Sequence, residues 1–399
     1  YGRKAAGMSL ARIPAGYVPL TDAAPLIVAQ ELGFAAEERL TLELHRAPSW
    51  SSLRDMLTFG QVDAAHMLAP LPVAAALGLG GASAQFSVLS VLSINGTVIG
   101  ISNRLASKLA NAGYSFSFEN AVSARRALIA ASGPKLRIGV PFPFSMHAEL
   151  LAYWLEGLGL DTLRGIGIRT VPPPMMAKAI QCGEIDAFCV GEPWGSIAVE
   201  QGESSLLLPG REIWSFAPEK VLAVRSAWAD TEHNLSGRLI RALWRAGRWL
   251  SAPCSRGLAA EILSSRQYLD LPAEIIERAL SGRFTVTPQG LQREAPGFIG
   301  FHQGAAGFPW RSQAQWIALQ LAKRNGLDPQ TAAEKAGPVF RSDIYRNALS
   351  GTGAELPGAS SKLEGAIEAG TLAAGESDAI HLLPNRFFDG RVFDPLAVD

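Results

Sequence analysis

The sequence predicts a two-lobed α/β protein with mostly parallel sheets and a ligand cleft between the lobes. Three observations predict it. Strand-like apolar runs alternate with amphipathic helical stretches along most of the 399 residues. Two long segments recur in the same order. Two further β-prone runs lie where a chain passing from lobe to lobe would need them.

The first segment, RIPAGYVPLTDAAPLIVAQELG, reads as a strand, a loop and a helix. Thr21 or Asp22 is a candidate cap, Pro25 fits the first turn and Gly33 ends the helix. A second helix follows in PSWSSLRDMLTFG, with Ser49 as cap and Gly60 as stop, and VDAAHML then reads as a short buried strand. RIGVPFPFSMHAELLAYWLEGLG mirrors the first segment: Arg12 and Arg137, Ile13 and Ile138, Leu26 and Leu151, and Glu31 and Glu156 are each 125 positions apart. IQCGEIDAFCVGEPWG mirrors LTFGQVDAAHMLAPLP: Gly60 and Gly183, Asp63 and Asp186, and Pro70 and Pro193 are each 123 apart. Such doubling implies two lobes of related plan.

The lobe crossings are VLSVLSINGTVIGISNRL, with its Asn-Gly turn signal, and PEKVLAVRSAW. Two crossings form a hinge. This assigns residues 1–102 to the first part of lobe I, 103–221 to lobe II, and 222–399 to the rest of lobe I with a helical C-terminal extension. Within that extension, residues 234–335 read as mainly helical. Arg238, Arg241, Arg245 and Arg248 form a basic stripe that reads as a solvated face, and SGTGAELPGASSK reads as a surface loop.

Composition narrows the function. Lys+Arg and Asp+Glu both number 36, so the chain has no electrostatic footprint for direct nucleic-acid or acidic-membrane binding. No apolar run is long enough to span a bilayer, so no membrane insertion is expected. The three cysteines, Cys182, Cys189 and Cys254, form no CxxC pair and read as free thiols of a reducing compartment. The six histidines show no metal-ligand spacing. GxSxG, HExxH, P-loop and GxGxxG patterns are all missing. Glu192, in the GEPW turn, reads as a structural hydrogen-bond acceptor. The expectation is a binding protein without a cofactor, not an enzyme.

A small oxyanion offers only acceptors, so its site needs donors and one nearby cation. His147 falls in the first turn of a helix starting near Ser145. Trp50 follows the cap Ser49, with the Ser51 hydroxyl beside it. Thr97 follows the Asn-Gly turn, and Pro173 belongs to a rigid Pro172–Pro174 wall. Lys220 opens the second crossing. All six fall at lobe edges or crossings, where a cleft ligand would be held.

TDAAPLIVAQELGF, SWSSLRDML, DAAHMLAPLP, VPPPMMAKAI, DAFCVGEPW, EIW with PEK, and the closing FFDG-x-x-FDP resemble the nitrate/bicarbonate-binding proteins of ABC transporters. They equally resemble the cytoplasmic nitrate/nitrite sensors of the NasS type, from Arg12 to Pro395. The resemblance implies a type II periplasmic-binding-protein fold and places ligand contacts on Trp50, Ser51, Thr97, His147, Pro173 and Lys220. Lys220 in PEK favours nitrate or nitrite, because the bicarbonate binders carry an acidic residue there. Thr97 departs from the transporter proteins' glutamine, and Ser51 from their glycine. The resemblance also implies a partner: the sensors hold an RNA-binding antiterminator of the NasT type and release it on binding the anion. The N-terminal stretch carries no leader pattern, which with the free thiols favours a cytoplasmic sensor. The alternative is a periplasmic transport receptor whose leader has been removed. A third possibility, an enzyme of the pyrimidine-precursor synthesis branch on the same scaffold, would need a His/Cys constellation and a cofactor lysine.

Overall fold

The computed structural model describes residues 10–81, 83–133, 135–156, 158 and 165–397. The first nine residues of the stretch read for a leader, and Gly157 and Gly159 of the second repeat, lie outside these. Two sheets organise the chain. The first runs in the order Ile299–Gly300, β4 (Phe86–Asn95), β10 (Pro218–Arg225), β3 (Ala64–Leu68), β1 (Ala11–Tyr17), β2 (Leu40–Arg46). The second runs β7 (Ile166–Thr170), β6 (Leu136–Val140), β8 (Ala187–Gly191), β5 (Thr97–Ser102), β9 (Ser204–Pro209). In each, three strands are parallel: β2, β1 and β3 in one, β7, β6 and β8 in the other. A crossing strand then joins antiparallel, β10 beside β3 and β5 beside β8. The sheets are therefore mixed, and the doubled sequence segments are two copies of one lobe plan.

Local chemistry explains the shared details. Ser49 is extended, and its hydroxyl accepts from Ser52 N–H, starting the helix Trp50–Thr58. Trp50, Leu53 and Leu57, spaced three and four apart, are the buried face of that helix. Gly60 and Gly183 both sit at positive φ, +73° and +67°, a turn that a side chain would strain. Asp63 and Asp186 each follow such a turn and each accept from an arginine, Arg225 for the first and Arg137 for the second. One capping expectation is corrected. Neither Thr21 nor Asp22 caps the helix Ala24–Glu31; both lie in a 3-10 turn, Thr21–Ala23, without a side-chain cap. Asp22 has other partners, described below.

The Asn95-Gly96 turn does not close a hairpin, because β4 and β5 belong to different sheets. It is one lobe crossing; the other runs from β9 to β10 through residues 210–217. Asn95 fastens them together: its side-chain N–H donates to Ser215 O at 2.8 Å and its Oδ1 accepts from Ala217 N–H at 3.2 Å. Asn95 is itself left-handed (φ 58°), a conformation asparagine tolerates better than most residues.

The C-terminal region wraps this hinge. Trp214 of the second crossing packs against Trp316 and Phe387, with ring centroids 4.7 and 4.9 Å away. Tyr153, on the lobe II helix Met146–Leu155, joins the cluster and donates to Asp389 at 2.8 Å. The fully buried Glu149 of that helix pairs with Arg324; burial, opposed by the arginine's charge, pushes its carboxyl up to about 8. The basic stripe is not simply a solvated face. Arg241 and Arg245 bind the Glu38 carboxylate, Arg238 donates to the Glu38 carbonyl, and Arg248 lies over the Trp244 ring. Asn95→Ala removes both side-chain bonds between the crossings and leaves Ala217 N–H without an acceptor, while the backbone bond from Asn95 N–H to Ala217 O remains. It should cost about 1–3 kcal/mol, read as a lower urea midpoint at unchanged m-value; an unchanged midpoint would contradict this role of the side chain.

Candidate functional site

The cleft site is assembled from strand ends and the turns after them, on both lobes. On the lobe I side, the turn after β1 brings Asp22, β3 brings His66, the helix after β2 brings Trp50, and β10 brings Glu219 and Lys220. The lobe II side supplies His147 from the helix after β6, Gly191 from the end of β8, and Thr97 from the start of β5. Every one of these polar or aromatic side chains is at most 3% exposed.

Lys220 is the centre. Its ammonium has no exposed surface and lies 2.8 Å from both Asp22 Oδ2 and Glu219 Oε1. It also stands 5.4 Å from the centre of the Trp50 ring, within cation–π range. His66 Nε2 is 2.8 Å from Asp22 Oδ1, and its ring is 5.6 Å from that of Trp50. His147 Nδ1 approaches Glu219 Oε1 at 3.3 Å, joining the lobes across the cleft, but without hydrogen-bond geometry. Two further bonds join the lips: Thr21 N–H donates to Glu192 O, and Trp194 Nε1–H to Pro19 O. Glu192 accepts from Ser196 N–H with its carboxylate, as the sequence suggested.

The charges follow from this geometry. Burial disfavours the Lys220 ammonium, but the charges of Asp22 and Glu219 outweigh it and hold the lysine above its ordinary range. Burial likewise opposes ionisation of Asp22, yet Lys220 and His66 bring its carboxyl down to about 2. Glu219 goes the other way: burial outweighs Lys220 and lifts it to about 7. Burial keeps both imidazoles neutral, His147 especially, where Lys220 adds to the effect.

Several polar atoms of this cluster are buried without a hydrogen-bond partner: Thr21 Oγ1, Trp50 Nε1, His66 Nδ1, Thr97 Oγ1, both His147 nitrogens and Glu219 Oε2. Buried polar atoms are normally paired. This concentration around one cation makes the cluster the candidate ligand site. Gly191 lets the two lobes approach closely beside the cluster. A Cβ there would stand 2.9 Å from Leu20 and 3.8 Å from both Asp22 Oδ2 and His147 Nε2. Among the described residues, no group of three or more His, Cys, Asp or Glu side chains could hold a metal ion.

The sequence-predicted residues divide. Trp50, Thr97, His147 and Lys220 are brought to the cluster. The Ser51 side chain is not: it is exposed and bonds Ser49 Oγ at 3.0 Å. One helical step turns it about 100° from Trp50. Pro173 is buried at the start of the 3-10 turn Pro173–Met175 and has no N–H to offer. Asp22, His66, Glu219 and Gly191 were missed as site residues. Glu219 escaped because strand alternation should place it opposite Lys220. An irregularity in the β10–β4 register at Glu219–Lys220 brings both carboxylate and ammonium into the cluster.

Residues 7–264 match the NMT1-like family. The chain belongs to the NMT1-like family. Among its relatives, the nitrate import ATP-binding protein NrtC of Synechocystis is 33% identical over 86% of this chain. The bicarbonate transport ATP-binding protein CmpC of Synechococcus elongatus is also 33% identical over 86% of it. The chain spans about half the length of these curated relatives, 50% of each. The crystal structure of the periplasmic nitrate-binding protein NrtA from Synechocystis superposes with a TM-score of 0.81 at 25% identity, covering 97% of this chain and 96% of that one. The fold is thus that of the periplasmic binding proteins. The likeness to NrtC and to CmpC is equal, so overall identity does not separate nitrate from bicarbonate.

Asp22 makes the site's pH response testable. A carboxyl held at about 2 contributes stability that is present above its ordinary range and lost as pH falls toward 2. The wild type should therefore lose on the order of 2 kcal/mol between about pH 5 and 2 that Asp22→Asn does not lose. Parallel urea melts of the two proteins across that range check it; identical losses would contradict the assignment.

Proposed function

We propose that this protein captures nitrate or nitrite in the cleft between its lobes, with Lys220 as the fixed cation. The observation that carries this reading is the buried ammonium ringed by unpartnered donors from both lobes. Trp50 Nε1–H, Thr97 Oγ–H, a His147 N–H and the third Lys220 proton can all meet an acceptor-only anion. The similarity to the nitrate-binding protein NrtA supports the same ligand. Lys220 at the PEK position supports it over bicarbonate.

The anion stabilises only the arrangement in which both lobes contact it, so binding shifts the hinge toward closure. What reads that closure is a second question. A transport receptor for an ABC importer is the role that the relatives support. A cytoplasmic sensor that releases a NasT-type antiterminator on binding the anion is favoured by the three free cysteines, two of them exposed. Nitrate-sensitive co-purification with such an antiterminator would support the sensor; unchanged indifference to it would leave the receptor.

Calorimetric titration tests the ligand. Wild type should bind nitrate or nitrite in about the micromolar range and bicarbonate and sulfate more weakly. Lys220→Glu should abolish binding, a loss of about 3–5 kcal/mol, and His147→Ala should cost about 1–3 kcal/mol. Unchanged nitrate affinity in Lys220→Glu would remove the basis of the proposal.

A further inference from the structure

We infer that closing the cleft on the anion takes up one proton, held between Glu219 and His147, so that anion and proton are captured together. This rests on the proposed anion reading and deepens it.

The charge of the cluster requires something of the kind. Asp22 and Glu219 ionised, Lys220 protonated and two neutral imidazoles give one net negative charge, in a space with almost no solvent contact. A monovalent anion brought there would meet two carboxylates within 2.8 Å of the only ammonium in the cluster. Desolvation and like-charge repulsion both oppose that arrangement. One added proton cancels the site's own excess charge.

Geometry says where that proton goes. Asp22 is the wrong place: it is bonded by His66 and paired with Lys220, which hold it ionised. Glu219 has only Lys220 on one oxygen, while Oε2 has no partner. His147, 3.3 Å from Oε1, has two unpartnered nitrogens. The other titratable groups around Glu219 are Asp22 from the turn after β1 and Cys189 from β8; His66 reaches it only through Asp22. Asp22 disfavours a second carboxylate charge here, and Glu219 already titrates near neutrality, at about 7. Protonation also changes the chemistry offered to the ligand. Glu219 Oε2 or a His147 nitrogen, an acceptor when bare, becomes a donor aimed into the cleft. A lysine-only site would attract the anion at any pH below the lysine's own range; this site is tuned to do so where Glu219 can be protonated.

The test is calorimetric titration of nitrate in buffers of different ionisation enthalpy, with affinity followed from about pH 6 to 9. The result expected is uptake of about one proton above neutrality, with affinity falling toward tenfold per pH unit there. Glu219→Gln, which mimics the protonated carboxyl, should bind with proton uptake near zero and a flat pH profile. Nitrate binding by wild type without proton exchange would overturn the inference and leave the anion reading intact. Full uptake retained in the double variant Glu219→Gln/His147→Ala would overturn the assignment of the proton to this pair. No nitrate binding at any pH would overturn the proposed function, and this inference with it.

Discussion

A lysine with no exposed surface, placed between two carboxylates at the meeting of two lobes, is the constraint on which the rest of this structure depends. An isolated buried ammonium would be expelled or neutralised. Lys220 stays charged because Asp22 and Glu219 stand at 2.8 Å. Those partners come from separate pieces of chain. Asp22 requires the turn after β1 to fold against β3, where His66 orients it, and Glu219 requires the irregular register of β10. Removing either carboxylate would leave the ammonium undercompensated, and removing the lysine would leave two carboxylates together.

The hinge and the site share one strand. β10 begins at the end of the second crossing and carries Glu219 and Lys220 in its second and third positions. Asn95 joins that crossing to the first one, whose outgoing strand starts at Thr97. Any rotation of the lobes therefore acts directly on the residues that would hold a ligand. The C-terminal region adds a second connection behind the cleft. Tyr153, Glu149 and His147 lie on one helix; the first two bond the C-terminal extension, and the third faces Glu219. The extension thus holds the helix whose first turn faces the Lys220 cluster.

Much of this was legible in the sequence, and the reasons are local. Ser49 and Ser145 announced helix starts because a hydroxyl ahead of an apolar run has one obvious use. Gly60 and Gly183 announced turns that need positive φ. The repeated spacing announced two lobes, and Lys220, His147, Trp50 and Thr97 sat at their edges. What escaped depends on tertiary contacts. Asp22 looked like a helix cap, and only the strand carrying His66 and Lys220 shows that it serves them. Ser51 seemed to accompany Trp50, yet neighbours on a helix face different ways. Pro173 was placed by resemblance, without a donor to offer. The arginine stripe looked solvated because Glu38, its partner, lies some 200 positions earlier in the chain.

A crystal structure determined with nitrate would test directly whether the buried ammonium of Lys220 holds the anion between the lobes. Planar density is expected within hydrogen-bond distance of Lys220 Nζ, Trp50 Nε1, Thr97 Oγ1 and His147, beside Gly191. Nitrate bound elsewhere, or in the cleft without contact to Lys220, would contradict it.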